Sequence, residues 1–127
     1  MKYLGIDYGT KKVGIALSDD EGKLAFPHSV EPNDMYLFEK IKQLLDDEGI
    51  IAIVMGHSLG FKGEDNPVMD RINHFTEALI HAGYHVHMEP EFLTTAQAKR
   101  HTADNMADAS AAALILQTFL DKHPPEA

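Results

Sequence analysis

The chain has 127 residues, of which 44% are hydrophobic and 24% charged, and it contains no cysteine. These totals predict one globular domain over residues 1–127 and exclude disulfides and thiolate chemistry. No apolar run approaches the ~18 residues of a membrane span, and no signal-peptide pattern is present, so we expect a cytoplasmic protein without a membrane partner. The formal net charge of −9 argues against strong non-specific binding to nucleic acid, which depends on neutralising phosphates.

The first 30 residues alternate between apolar and small or polar side chains, as strands do. Strands are predicted over residues 3–7, 13–18 and 24–30. The segments between them are short enough for tight turns, which predicts an antiparallel meander. In the first strand, Leu4 and Ile6 share one face, whereas Tyr3, Gly5 and Asp7 share the other. Asp7 is therefore expected at the end of a central strand, beside small residues that leave room for a bulky group.

The rest of the chain alternates between helical patterns and short apolar runs. The predicted elements are helix 35–48 with Asn33 or Asp34 as its N-cap, strand 50–56, polar loop 57–66, a helix from Pro67 to before Gly83, strand 84–88, a short helix capped by Thr94 or Thr95 and ending at Arg100, and helix 103–122. The last helix is apolar nearly all round from Ala109 to Leu120, which is typical of a buried helix. This order predicts an α/β fold, a mixed sheet of three antiparallel and then two parallel strands with helices on both faces.

Three acidic residues stand where a structural role alone would not place them. Asp7 ends the first strand, Glu91 follows the fifth, and Asp108 lies near the start of the buried helix. Sites in open α/β sheets gather at the carboxyl ends of strands, and converging carboxylates need divalent cations such as Mg²⁺ or Mn²⁺. Alternatively, Asp7 caps its own turn, Glu91 is an ordinary loop acid, and Asp108 acts with Asp104 at the helix N-terminus. His101, near the proposed site, could shuttle protons at neutral pH.

Three stretches of the chain are similar to motifs of one family. They are L-G-I-D-Y-G-T-K-K-V-G-I-A-L-S at 4–18, E-F-L-T-T at 91–95 and D-A-S-A-A-A-L-I-L-Q at 108–117. With these motifs in this order, the chain resembles the YqgF/RuvX family over about residues 1 to 122. That family comprises pre-16S ribosomal RNA nucleases, also called Holliday-junction resolvase-like proteins, with an RNase H-like fold. The resemblance implies that Asp7, Glu91 and Asp108 form the catalytic, metal-binding set.

The resemblance also implies an activity and its partners. The implied reaction is metal-dependent hydrolysis of phosphodiester bonds with Mg²⁺ or Mn²⁺, by a two-metal mechanism, in processing the 5′ end of pre-16S ribosomal RNA. Branched DNA is the alternative substrate, and its symmetric cleavage would call for a homodimer rather than a monomer. The candidate substrate-binding residues are Thr10, Lys11 and Lys12 in the first turn, with Lys99 and Arg100 between the second and third motifs.

The chain departs from the family's motifs at several places. The family's D-E-R reads Pro90-Glu91-Phe92, and its G-L-P-L reads Gly56-His57-Ser58-Leu59. Only twelve residues separate Thr95 from Asp108, where relatives carry a longer basic segment. These departures favour a second interpretation, a degenerate member with a binding or scaffold role, whereas the three acids favour an enzyme. The first motif also occurs in actin-like phosphotransferases, but those close two domains around a nucleotide and this length predicts one.

Overall fold

The computed structural model describes residues 1–9, 11–57, 67–90 and 107–122. Its elements are β1 (Tyr3–Tyr8), β2 (Lys12–Ser18), β3 (Ala25–Pro32), α1 (Leu37–Glu48), β4 (Ala52–His57), α2 (Pro67–His81), β5 (His85–Pro90) and α3 (Ala107–Lys122). The five strands form one sheet in the order β3-β2-β1-β4-β5. β1 pairs with β2, and β2 with β3, in antiparallel fashion, whereas β1–β4 and β4–β5 are parallel. The predicted mixed sheet with a central first strand is confirmed.

The strands β3 and β5 end later than predicted. β3 continues through Pro27 to Pro32 because it is an edge strand, where proline's missing N–H interrupts no second ladder. Next to this proline the register with β2 shifts by one residue, since Ile15 pairs with Ser29 and Ala16 with Pro27. β5 likewise runs to Pro90 instead of ending at Met88.

The predicted cap of α1 was wrong. The helix begins at Leu37, and its N-cap residue is Tyr36, which makes no side-chain cap bond. Asp34 accepts a hydrogen bond from the Tyr36 N–H at 3.0 Å, one turn ahead of the helix, while Asn33 donates its amide to Gly9 at 2.7 Å. Both polar side chains thus have other partners. The predicted helix ending at Arg100, and the start of the last helix before 107, lie outside the described residues.

One face of the sheet is covered by α1 and α2. The alternate residues Leu4, Ile6 and Tyr8 of β1 project into this layer, and the first two are fully buried. The buried residues of the layer are Leu4, Ile6, Tyr8, Val13, Ile15, Leu37, Ile41, Leu45, Ile50, Ile53, Met55, Ile72 and Leu79. Because these side chains are nearly all large and apolar, this face supplies most of the hydrophobic core.

The opposite face is covered by α3, which approaches the sheet very closely. A Cβ atom at Gly5 would lie 2.8 Å from the Leu116 Cβ and 3.1 Å from the Ala112 carbonyl oxygen. The ring of Tyr3 packs edge-on against Phe119, with centroids 5.7 Å apart. Gly5 lies against Ala112 and Leu116, whereas the earlier residue Tyr3 lies against the later residue Phe119. The direction of α3 is therefore antiparallel to that of β1. No helix in the described part of the chain is long and apolar enough to span a membrane.

Candidate active site

Asp7 lies near the carboxyl end of the central strand, on the face that α3 covers. Its side chain is half-buried. In the register of the sheet, its partner in β2 is Gly14 and its partner in β4 is Gly56. Residues paired across a sheet share a face, so neither neighbouring strand places a side chain directly beside the carboxylate. The two strand neighbours of Asp7 are therefore glycines, which is consistent with the small surroundings expected from the sequence.

The contacts between α3 and β1 indicate where the backbone of Asp108 lies relative to Asp7. From Gly5, which contacts Ala112, the strand advances to Asp7 by two residues, or about 7 Å. One helical turn back from Ala112 leads to Asp108 and covers about 6 Å in the same direction. We infer that the first turn of α3 lies over the row that contains Asp7. Whether the two carboxylates share an ion stays a prediction.

A further carboxylate, which the sequence analysis did not single out, lies in the same row of the sheet. Glu89 in β5 pairs with Gly56, which pairs with Asp7, and only 5% of Glu89 is exposed. Its Oε1 atom accepts a hydrogen bond from the Lys122 ammonium at 2.6 Å. The alternation of β5 could have shown that Glu89 shares a face with His87, which stacks on Phe119 of α3. This ion pair ties the last turn of α3 to the strand that leads to the proposed site.

The turn between β1 and β2 is held by Asn33. The Asn33 amide donates to the Gly9 carbonyl at 2.7 Å, and the Asn33 backbone N–H donates to the Lys11 carbonyl at 2.9 Å. The side chains of Lys11 and Lys12 are exposed, as phosphate-contacting residues must be. Sequence reasoning missed this role of Asn33 because its partners lie more than twenty positions away.

Several predicted site residues lie outside the described part of the chain. They are Thr10, Glu91, Lys99 and Arg100, with His101 and Asp104, and the roles assigned to them stay predictions. Among the described residues, no group of three or more histidine or acidic side chains is arranged to hold a metal ion. That finding does not bear on the proposed set, because Glu91 and the Asp108 carboxylate are not among those residues.

Comparison with known proteins decides the family. The family model described as "RuvX: Holliday junction resolvase" matches residues 1–122. This chain belongs to the RuvX family. The protein named "Putative pre-16S rRNA nuclease" in Anaplasma marginale is 36% identical over 137 residues, covering 94% of this RuvX chain and 84% of its own length. A protein of the same name in Nitratidesulfovibrio vulgaris is 34% identical, with coverage of 95% and 94%.

Solved structures similar to this RuvX chain include RuvC and a viral resolvase. RuvC of Thermus thermophilus has a TM-score of 0.62 at 17% identity, with 96% of each chain covered. The same enzyme in complex with a Holliday junction substrate also scores 0.62. The fowlpox virus resolvase in complex with Holliday junction DNA scores 0.60 at 10% identity. At these identities the likeness shows the fold, and it confirms the predicted RNase H-like arrangement.

Proposed function

We propose that this protein is a metal-dependent nuclease that hydrolyses phosphodiester bonds in structured RNA, at the 5′ end of pre-16S ribosomal RNA. The observation that carries the proposal is the position of Asp7. Its half-buried carboxylate lies at the end of the central strand between two glycine partners, on the face covered by α3. The names of the curated relatives support the RNA substrate. The absence of cysteine suits work in the cytoplasm.

The residues proposed for the site fit divalent cations. Asp7, Glu91 and Asp108 would offer carboxylate oxygens, the donors that Mg²⁺ and Mn²⁺ prefer, and the strand partners of Asp7 are glycines, which place no side chain beside its carboxylate. When bound, such ions supply Lewis acidity toward the phosphate and the attacking water.

The chain itself would position the substrate against this set. β1 is paired on both sides, so the backbone of Asp7 is held in a fixed place relative to the sheet. The exposed Lys11 and Lys12, in the turn that Asn33 holds, would bind phosphates on either side of the scissile bond. Fixed geometry of this kind lowers the entropic part of the barrier.

A four-way DNA junction is the second candidate substrate. The observation that favours it is the likeness of the fold to two resolvases, each solved in complex with a Holliday junction. Cleavage of both strands at symmetric positions would require a homodimer. RNA processing has no such requirement, so oligomeric state and substrate preference should be measured together.

The test is a cleavage assay with labelled structured RNA and a labelled four-way DNA junction, each with and without Mn²⁺. Asp7→Asn should lower the rate at least ~10²-fold, because the carboxylate's charge positions the ions and the water. Asp20→Asn is the matched control, since it makes the same change at a carboxylate that is 94% exposed in the β2–β3 turn. Undiminished cleavage by the Asp7→Asn protein would show the assignment to be wrong. Binding without cleavage by the parent protein would favour the scaffold interpretation.

A further inference from the structure

A groove of about 530 Å³ opens at the carboxyl edge of the sheet, on the face opposite α3. Its floor is aromatic and is made by Tyr8 of β1, Phe38 of α1 and Phe75 of α2. The Phe75 ring lies 5.4 Å from that of Tyr8 and 5.7 Å from that of Phe38, measured between centroids. The volume falls within the range of about 300 to 1,000 Å³ that is usual for sites of small ligands. The groove is therefore large enough for a nucleobase with its sugar and phosphate.

The rim of the groove carries the cationic side chain of Arg71, together with His74 and the carboxylate of Asp34. Arg71 and His74 lie three residues apart on α2, so they share one side of the helix, and both are exposed. Within the described ranges, the ion pairs that form do not include Arg71. The Asp34 carboxylate accepts the backbone N–H of Tyr36, which fixes its position at the rim. An arginine at such a rim can bind a phosphate through two parallel hydrogen bonds.

The groove adjoins the proposed active site. Tyr8 follows Asp7 directly in β1, so their Cα atoms are about 3.8 Å apart and their side chains project to opposite faces. Asn33 lines the groove and also holds the turn that carries Lys11, through its bond to Gly9. A nucleic-acid strand bound at Asp7 that continues past this edge of the sheet would therefore reach the groove next.

We infer that this groove binds one unpaired nucleotide of the substrate, with its base on the aromatic floor and its phosphate at Arg71. The inference rests on the proposed function, because it takes the ligand to be nucleic acid. Aromatic rings and arginine together favour single strands, since every base has a face that can stack once it leaves the duplex. A base that is paired and stacked within a duplex has no free face to offer the aromatic floor. The groove thus selects sites where a duplex meets a single strand.

The experiment compares a labelled RNA hairpin that has a short 5′ overhang with the same hairpin made blunt. Binding is followed by fluorescence anisotropy with Asp7→Asn protein, so that no cleavage occurs. In this background, Arg71→Gln should weaken binding of the overhang hairpin about 5- to 10-fold and lower the slope of log K against log salt by about 0.7, the share of one single-strand phosphate. The matched control is Lys23→Gln, which removes the same charge from a 61% exposed lysine in the β2–β3 turn.

A second variant tests the floor without changing the charge. Ala78 lines the groove, and Ala78→Leu should fill part of it. We expect weaker binding of the overhang hairpin, an unchanged salt slope and unchanged affinity for the blunt hairpin. A thermal melt of each variant establishes that the fold is intact, and affinities are compared per folded molecule.

The outcomes separate this inference from the proposed function. If the parent protein cleaves RNA but Arg71→Gln binds the overhang hairpin as Lys23→Gln does, the groove assignment is wrong and the nuclease assignment stands. Equal weakening for the overhang and blunt hairpins would place Arg71 on duplex phosphate and would also overturn the inference. If no substrate is cleaved but binding still depends on the overhang and on Arg71, the groove assignment holds and the nuclease assignment fails. Failure of the Asp7→Asn protein to bind either hairpin overturns the groove assignment.

Discussion

The two faces of the central strand β1 are built on opposite rules. On one face, Leu4 and Ile6 are fully buried, and they pack under α1 and α2. On the other face, Gly5 has no side chain, and α3 approaches until its backbone nearly touches the strand. Asp7 lies on this second face, half-buried. The comparison teaches that a strand's alternation can assign stability to one face and chemistry to the other.

The difference has an energetic basis. Burial of a leucine or isoleucine side chain stabilises a fold by about 1.5 to 3 kcal/mol, so the α1/α2 face gains from each large residue it covers. The α3 face covers small residues such as Ala16, Ala112 and Gly5, and gains mainly from close packing. In return, the helix lies close to the strand at Gly5, and we infer that its first turn lies over the row of Asp7. The fold should therefore lose stability when atoms are removed from the α1/α2 face, and when atoms are added to the α3 face.

The largest expected effect is the loss of a large side chain from the α1/α2 face. Ile6→Ala should lower the free energy of unfolding by about 2 to 5 kcal/mol, because Ile6 is fully buried and a cavity remains. Ile80→Ala is the control, since Ile80 is 52% exposed on α2 and its truncation should change stability by less than about 0.5 kcal/mol. Urea unfolding measures both. Cleavage per folded molecule should be unchanged in Ile6→Ala, and a matching loss of activity would contradict the separation of the faces.

The next effect comes from adding one methyl group to the α3 face. Gly5→Ala should destabilise by about 1 to 3 kcal/mol, because the new Cβ would lie 2.8 Å from the Leu116 Cβ and force α3 outward. The shift would move Asp108, so cleavage per folded molecule should also fall, by at least ~10-fold. Gly49→Ala is the matched control. It meets no atom within 4 Å and destabilises only through its positive φ of 68°, so its activity should persist.

Much of the fold could be predicted because it depends on local periodicity. The two faces of β1 followed from a period of two, and the burial of α3 from its apolar surface. Features that depend on distant partners could not be predicted. Asn33 or Asp34 was expected to cap α1, but the Asn33 amide donates to the Gly9 carbonyl and Asp34 accepts the N–H of Tyr36. Glu89 was passed over because its burial and its ion pair depend on Lys122, 33 residues further along the chain.

The candidate site was predictable to different depths. Asp7 could be singled out from its place at a strand end beside small residues, and the structure describes that place. Glu91 and Asp108 were joined to it through the family's motifs, and their carboxylates stay predictions. The groove above Tyr8 gave no signal in the sequence, since its floor and rim come from three separate elements that meet only in the fold.

A smaller effect would show whether the acids converge on the α3 face. Two charges about 4 Å apart at an effective dielectric near 20 repel by about 4 kcal/mol, of which solvent and proton uptake should leave roughly 1 to 2. Asp7→Asn should therefore stabilise the metal-free protein and raise its melting temperature by several degrees, at about 2 to 8 °C per kcal/mol. Mn²⁺ should stabilise the parent more than the variant. Lower melting temperatures for both Asp7→Asn and Asp108→Asn, with no metal effect on the parent, would mean that no shared site exists.

The smallest effect concerns the pair that ties the end of α1 to the start of β1. The Lys2 ammonium donates to the Glu48 carboxylate, and both side chains are partly exposed. This hydrogen bond raises the pKa of Lys2 above 10.5 and lowers the pKa of Glu48 below 4.5. Because the pKa of Lys2 is raised on folding, its stabilisation of the fold is complete below the lysine's unfolded pKa and is lost as the pH rises through the folded pKa. Because the pKa of Glu48 is lowered on folding, its stabilisation of the fold is complete above the glutamate's unfolded pKa and is lost as the pH falls through the folded pKa.

The Lys2–Glu48 pair should therefore contribute its full stabilisation between the ordinary pKa values of glutamate and lysine, and less at lower or higher pH. Lys2→Met, Glu48→Gln and the double variant form a cycle, read as melting temperatures at low and high salt. We expect a coupling at neutral pH that is smaller than every effect above and is removed by salt, because exposed charges are well screened. A coupling that survives high salt, or that grows toward acid pH, would show that this end of the α1/α2 face depends on charge rather than on its buried aliphatic side chains.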